Sequence, residues 1–196
     1  MKILILLAMA IFSAVLGGCA GNVEVIKSMS TNTRQDVFQE PSATTPIPPG
    51  YADLHIVSSL KTHLPGIYSY NDVHGSPEYK LLVNIDGQAL QLVGSLREER
   101  RDQHSLRDPE EGHGIRYLFQ KELRLKSGMH RIFISLPFDE VVAEREITLA
   151  NGSSNTLVLE PVYSLARDKR RIGFYTTTSF KEGIKGFWVN FNGKPL

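Results

Sequence analysis

From Gly50 onward, apolar and polar residues alternate in short runs, and turn-forming residues separate the runs. A period of two puts every second side chain on one face of an extended strand, so each run predicts a strand with one buried face. Leu54-His55-Ile56-Val57 is the first. Tyr79 to Ile85 ends on Asp86-Gly87, a dipeptide that closes hairpins because both positions tolerate positive φ, and Gln88 to Val93 returns from it. Arg116 to Leu125 places Tyr117, Phe119, Leu123 and Leu125 on one face, and Ser127-Gly128 predicts a second hairpin into His130 to Leu136. Glu144 to Leu149 and Thr156 to Tyr163 form a further pair across Asn151-Gly152. Ile172 to Thr177 follows a charged turn, and Lys185 to Phe191 (KGFWVNF) closes the chain. No run of ten or more residues shows an apolar period of 3.6; the one rival is Ser95 to Asp102 (SLREERRD), a short charged helix without an apolar stripe. Eight or nine short strands predict an all-β domain over residues 51–196, an antiparallel β-sandwich or open barrel with a polar insertion at 94–114.

The pattern before Gly50 is different. Ile3 to Leu16 is an uncharged apolar run of 14 residues behind Met1-Lys2. A membrane-spanning helix needs about 20 apolar residues, so the run reads as the core of a signal peptide occupying residues 1–18. Residues 19–50 are rich in Ser, Thr, Asn and Gln, and Pro41, Pro46, Pro48 and Pro49 gather at the end. That composition predicts a flexible tether, with a root-mean-square span of roughly 30 Å for about 30 residues. Leu16-Gly17-Gly18-Cys19 resembles the lipobox of bacterial lipoprotein precursors. The resemblance implies cleavage between Gly18 and Cys19, diacylglycerol on the Cys19 thiol and a fatty acyl group on the new N-terminus. It also accounts for a lone Cys in an exported chain. Residue 20 is Ala rather than Asp, which resembles the outer-membrane class of Gram-negative lipoproteins.

Within residues 76–162, Ser76-Pro77-Glu78, the strand Leu81 to Gly87, the segment Leu123 to Ile132 and Glu146 to Gly152 resemble in order a PEGA-type module, a small β-sandwich of exported bacterial surface proteins. Tyr79-Lys80 stands where that family's naming tetrapeptide has Gly-Ala, and Gly94 to Gly114 replaces a short connection. The resemblance implies a non-catalytic adhesion or scaffold role.

Composition narrows the function further. Of 22 basic residues Lys2 leaves with the signal peptide, so 21 remain against 21 acidic ones. A chain without net charge lacks the basic field that gathers nucleic acid. The six histidines form no HExxH motif, and no G-x-S-x-G is present. His104 and His113, with Asp108, Glu110 and Glu111, share the polar insertion and are the metal candidates. Arg167, Lys169, Arg170 and Arg171 form a basic turn suited to anionic headgroups or glycans, and Trp188 lies on the strand face opposite Phe187, Val189 and Phe191. These features predict an anchored, non-enzymatic lipoprotein without a cofactor beyond its lipid, meeting an envelope protein or glycan. The alternatives are a carrier of an apolar ligand and a metal-dependent envelope enzyme.

Overall fold

The computed structural model describes residues 20–42, 45–66, 71–101, 108–165 and 178–196. Two sheets face each other across one apolar core, so the all-β sandwich expected from the alternation is the observed class. In chain order the elements are α1 (Ala20–Met29), β1 (Phe38–Gln39), β2 (Tyr51–Thr62), β3 (Lys80–Ile85) and β4 (Gln88–Val93). There follow β5 (Ser95–Arg101), β6 (Gly112–Lys126), β7 (Gly128–Leu136), β8 (Val141–Leu149) and β9 (Ser154–Tyr163). A 3-10 turn (Phe180–Glu182), β10 (Ile184–Phe191) and β11 (Lys194–Pro195) end the chain. The first sheet has seven strands in the order β1-β6-β2-β9-β10-β11, with β5 beside β1 on the β6 edge; the second has four, β4-β3-β7-β8.

The inner faces follow the period of two. Ala52, Leu54, Ile56 and Leu60 of β2 and Tyr117, Phe119, Leu123 and Leu125 of β6 are wholly buried. Opposite them lie Leu81, Val83 and Ile85 of β3 and Ile132, Ile134 and Leu136 of β7. Each such aliphatic side chain contributes about 1.5–3 kcal/mol by leaving water. Asp86-Gly87 makes the expected hairpin between β3 and β4, with φ of 48° and 94°. Asp86 then accepts hydrogen bonds from the Arg131 backbone at 2.9 Å and from His130 Nδ1 at 2.7 Å, so His130 is a strut of the sandwich.

Four expectations need correction. The polar insertion begins as a strand of the first sheet, and the rival short helix does not form: β5 pairs with β6 from Ser95↔Leu118 to Arg101↔Gly112, which satisfies its backbone groups in the sheet. Ser127-Gly128 does not close a hairpin, because β6 belongs to the first sheet and β7 to the second; Asn151-Gly152 likewise carries the chain from β8 to β9 across the sandwich. A turn signal sets where the backbone bends, not which strand it next bonds. The sheets are not antiparallel throughout, since β2 and β9 run parallel from Asp53↔Ser154 to Ser58↔Leu159.

The fourth correction is the tether. Residues 20–29 form α1, whose Ile26 packs with Leu82 and Phe133 on the outer face of the second sheet, while the Asn84 side chain donates to the Met29 carbonyl at 2.7 Å. Val37 enters the main core, and β1 pairs with β6 at Phe38↔Leu125. Arg124, in a buried ion pair with Asp53 at 2.7 Å, also donates to the carbonyls of Thr45 and Pro46 at 3.1 and 3.3 Å. The polar segment has little core of its own but borrows one: a few anchors suffice where a folded sheet presents apolar surface and side-chain donors.

Candidate functional site

β2 leaves the first sheet at Thr62, and the crossover to β3 returns over one end of the sandwich. His63, Asp72 and His74 lie on this crossover, and Asp139 comes from the turn between β7 and β8 in the second sheet. Gly75, at φ 77°, turns the chain directly after His74; a Cβ there would sit 2.6 Å from the Pro65 ring, so only glycine lets the crossover fold this closely on itself.

These side chains form one hydrogen-bonded series. His63 Nε2 donates to Asp72 Oδ2 at 2.5 Å, and His74 Nδ1 donates to Asp72 Oδ1 at 2.6 Å. The His74 backbone N–H adds a third bond to Asp72 at 3.0 Å. His74 Nε2 donates to Asp139 Oδ1 at 3.1 Å, and the Tyr79 hydroxyl donates to Asp139 Oδ2. The four His and Asp side chains are only 8–17% exposed. Both ring nitrogens of His74 face carboxylates, an arrangement that favours the protonated ring. Burial alone would lower its pKa, but the bonds and charges of Asp139 and Asp72 outweigh that and hold it above 6.5. Burial likewise pushes Asp72 up, yet the bonds from His63 and His74 bring it down from 3.8 to about 2. Burial, with Asp139 beside it, raises Tyr79 well above the ordinary phenol range. Behind the site the rings continue inward: His63 to His74 at 4.7 Å, His74 to Tyr79 at 4.8 Å, Tyr79 to Tyr117 at 5.1 Å and Tyr117 stacked on Phe119 at 5.7 Å.

A second polar cluster starts two residues earlier on β2. Lys61 is fully buried, and its ammonium donates to the carbonyls of Glu110 and Gly112 at 2.9 and 2.6 Å, 4.9 Å from the centre of the Phe180 ring. Arg116 donates to Glu99 at 2.8 Å and to Glu110 at 2.6 Å. The Tyr163 hydroxyl donates to Glu110 at 2.8 Å and accepts the Lys61 backbone N–H at 2.8 Å. Two cations and two carboxylates balance one another here.

Among the described residues, the metal candidates of the polar insertion are not gathered into one ligand set. His113 pairs with Glu98 at 2.5 Å on an exposed edge, whereas Glu110 turns inward to Arg116 and Tyr163. His104 lies outside the described residues, as do Gly18, Cys19, Arg167, Lys169, Arg170 and Arg171. Trp188 is 65% exposed on the outer face of the first sheet, with Phe187 and Val189 buried beneath it as the alternation requires. It lies opposite Glu160 of β9, which accepts a bond from Asn190 at 3.2 Å. On the same sheet a shallow groove of about 510 Å³ runs past His55, Gln120, Glu122 and Thr156, walled by Glu40 and Pro41.

Sequence reasoning missed His63, Asp72, His74 and Asp139 as a group. The signal present was faint: Asp72-Val73-His74 is a pair two residues apart, His63 stands alone, and Asp139 is 65 residues beyond His74. No family model matches the chain, and neither a curated protein nor a solved structure matches it.

Proposed function

We propose that this chain is a lipid-anchored envelope protein whose sandwich is a non-catalytic binding module for another envelope component. The observation that carries the reading is the contrast between outer faces. On the second sheet, α1 covers Leu82 and Phe133, whereas on the first Trp188 stands open to solvent. A lone exposed indole costs hydration unless something stacks on it. Beside it on the same face are the hydrogen-bonded Asn190–Glu160 pair and half-buried Val158 and Val162, a mixed surface on which an indole can stack a sugar ring while Asn190 and Glu160 offer hydrogen bonds, which favours a glycan. The lipobox-like Leu16-Gly17-Gly18-Cys19 supports the anchor, through diacylglycerol on Cys19 and attachment to the outer membrane in a Gram-negative cell.

Two measurements test this reading. A radiolabelled fatty acid fed to expressing cells should label the wild type and not Cys19→Ser. A photo-crosslinker at position 188 should give a saturable adduct carrying envelope glycan. An adduct with one protein would replace the glycan by a protein partner. No adduct at 188, with an apolar molecule co-purifying, would replace the binding module by a carrier.

A further inference from the structure

Among the described residues, His63, Asp72 and His74 bring nitrogen and carboxylate ligand atoms within 4.8 Å of one another. We propose that His63 Nε2, one Asp72 oxygen and His74 Nδ1 hold one divalent transition-metal ion of the zinc type, independently of the binding role of the sheet face. Around a tetrahedral zinc with bonds of about 2.0–2.2 Å, ligand atoms stand roughly 3.4 Å apart. The widest separation here therefore has to close by little more than 1 Å, and the 2.5 and 2.6 Å contacts to Asp72 have to open. All three residues lie between β2 and β3, outside the strands, so the adjustment moves no strand residue.

A second observation points the same way. A ligating imidazole in a built site gives its other N–H to a carboxylate, which fixes tautomer and ring orientation. His74 Nε2 already does this toward Asp139 at 3.1 Å, and Asp139 is in turn held by the Tyr79 hydroxyl. Asp139 and Tyr79 are thus positioning residues. Two nitrogens and one oxygen select against calcium and magnesium, which take oxygen ligands. In the metal-free arrangement the His74 Nδ1 proton lies toward Asp72; on loading it leaves to solvent, and His63 carries its proton on Nδ1. The bound ion's two charges are then met by Asp72 directly and by Asp139 one bond out.

The test uses the full-length chain in detergent, stripped with chelator and titrated with Zn²⁺ against a competing indicator, with bound metal counted by elemental analysis. The wild type should hold one zinc per chain and unfold at a higher temperature when loaded. The double variant His63→Ala/His74→Ala should hold none, whereas His113→Ala should match the wild type. Asp139→Asn should bind one zinc 10–100-fold more weakly, the cost of losing an orienting carboxylate. If the double variant fails to fold, Co²⁺ added to the folded wild type decides: an intense visible d–d band supports nitrogen-rich, low-coordinate binding. No band and no stoichiometric zinc in the folded wild type overturns the proposal, as does zinc retained by a folded double variant. Because position 188 is read by crosslinking, failure here leaves the sheet-face reading untouched.

Discussion

Lys61, near the end of β2, and His63, the first residue of the crossover, are two residues apart, and each roots a buried polar cluster; the clusters resemble each other in burial and differ in chemistry. Around Lys61 the partners are Arg116, Glu99 and Glu110, a cluster with no imidazole in it, closed over by Phe180. Around His63 the partners are Asp72 and His74, and through His74 also Asp139; histidine is the side chain whose charge ordinarily changes near neutral pH, and imidazole nitrogens together with a carboxylate ligate transition metals. The first cluster holds the β5–β6 arm to the sheet. The second joins the crossover to the tip of the opposite sheet, and its strength depends on protons. Burial of charge alone therefore does not mark a functional site; the identity of the donors does.

The largest effect should come from breaking the first cluster. Arg116→Ala leaves Glu99 and Glu110 without the guanidinium that bridges them, and should cost about 3–5 kcal/mol, read as a lower urea midpoint.

Asp72→Asn should cost less, about 1–3 kcal/mol, and its cost should depend on pH. Asp72 is depressed from 3.8 to about 2, so its contribution is complete above 3.8 and is lost as pH falls through about 2. His74 is raised above 6.5, so its contribution is complete below 6.5 and is lost as pH rises through the raised value. In chelator, the difference between wild type and Asp72→Asn should plateau between those limits and shrink on both sides. A difference that does not change with pH would erase the distinction between the clusters.

Tyr79→Phe removes one bond to Asp139 while keeping the ring against Tyr117, and should cost about 1 kcal/mol by thermal unfolding. Trp188→Ala should change stability by no more than about 0.5 kcal/mol, because the indole is exposed, yet abolish retention on envelope glycan. A large stability loss there would mean that the indole packs rather than binds.

Much of the sandwich was legible in the sequence. Tyr117, Phe119, Leu123 and Leu125 declare their shared face by spacing alone, and Asp86-Gly87 declares its hairpin by backbone chemistry. The site was not legible in the same way. His63, Asp72 and His74 sit where no period operates, and Asp139 reaches them only because the β7–β8 tip arrives at the same end of the sandwich. α1 escaped because, among its described side chains, Ile26 alone is buried and Met29 is half-buried beside it, too sparse to write a stripe.

By itself the sequence determined which residues face inward along each strand and where the backbone turns, because both follow from interactions within a few residues. Only the tertiary structure decided which strand bonds to which: that Ser127-Gly128 crosses between sheets, that β2 and β9 run parallel, and that α1 and β1 dock on the two sheets. Those choices rest on contacts between residues far apart in the chain, where the gain from burying one face against another outweighs local preference. The meeting of His63, Asp72, His74 and Asp139 is of that second kind.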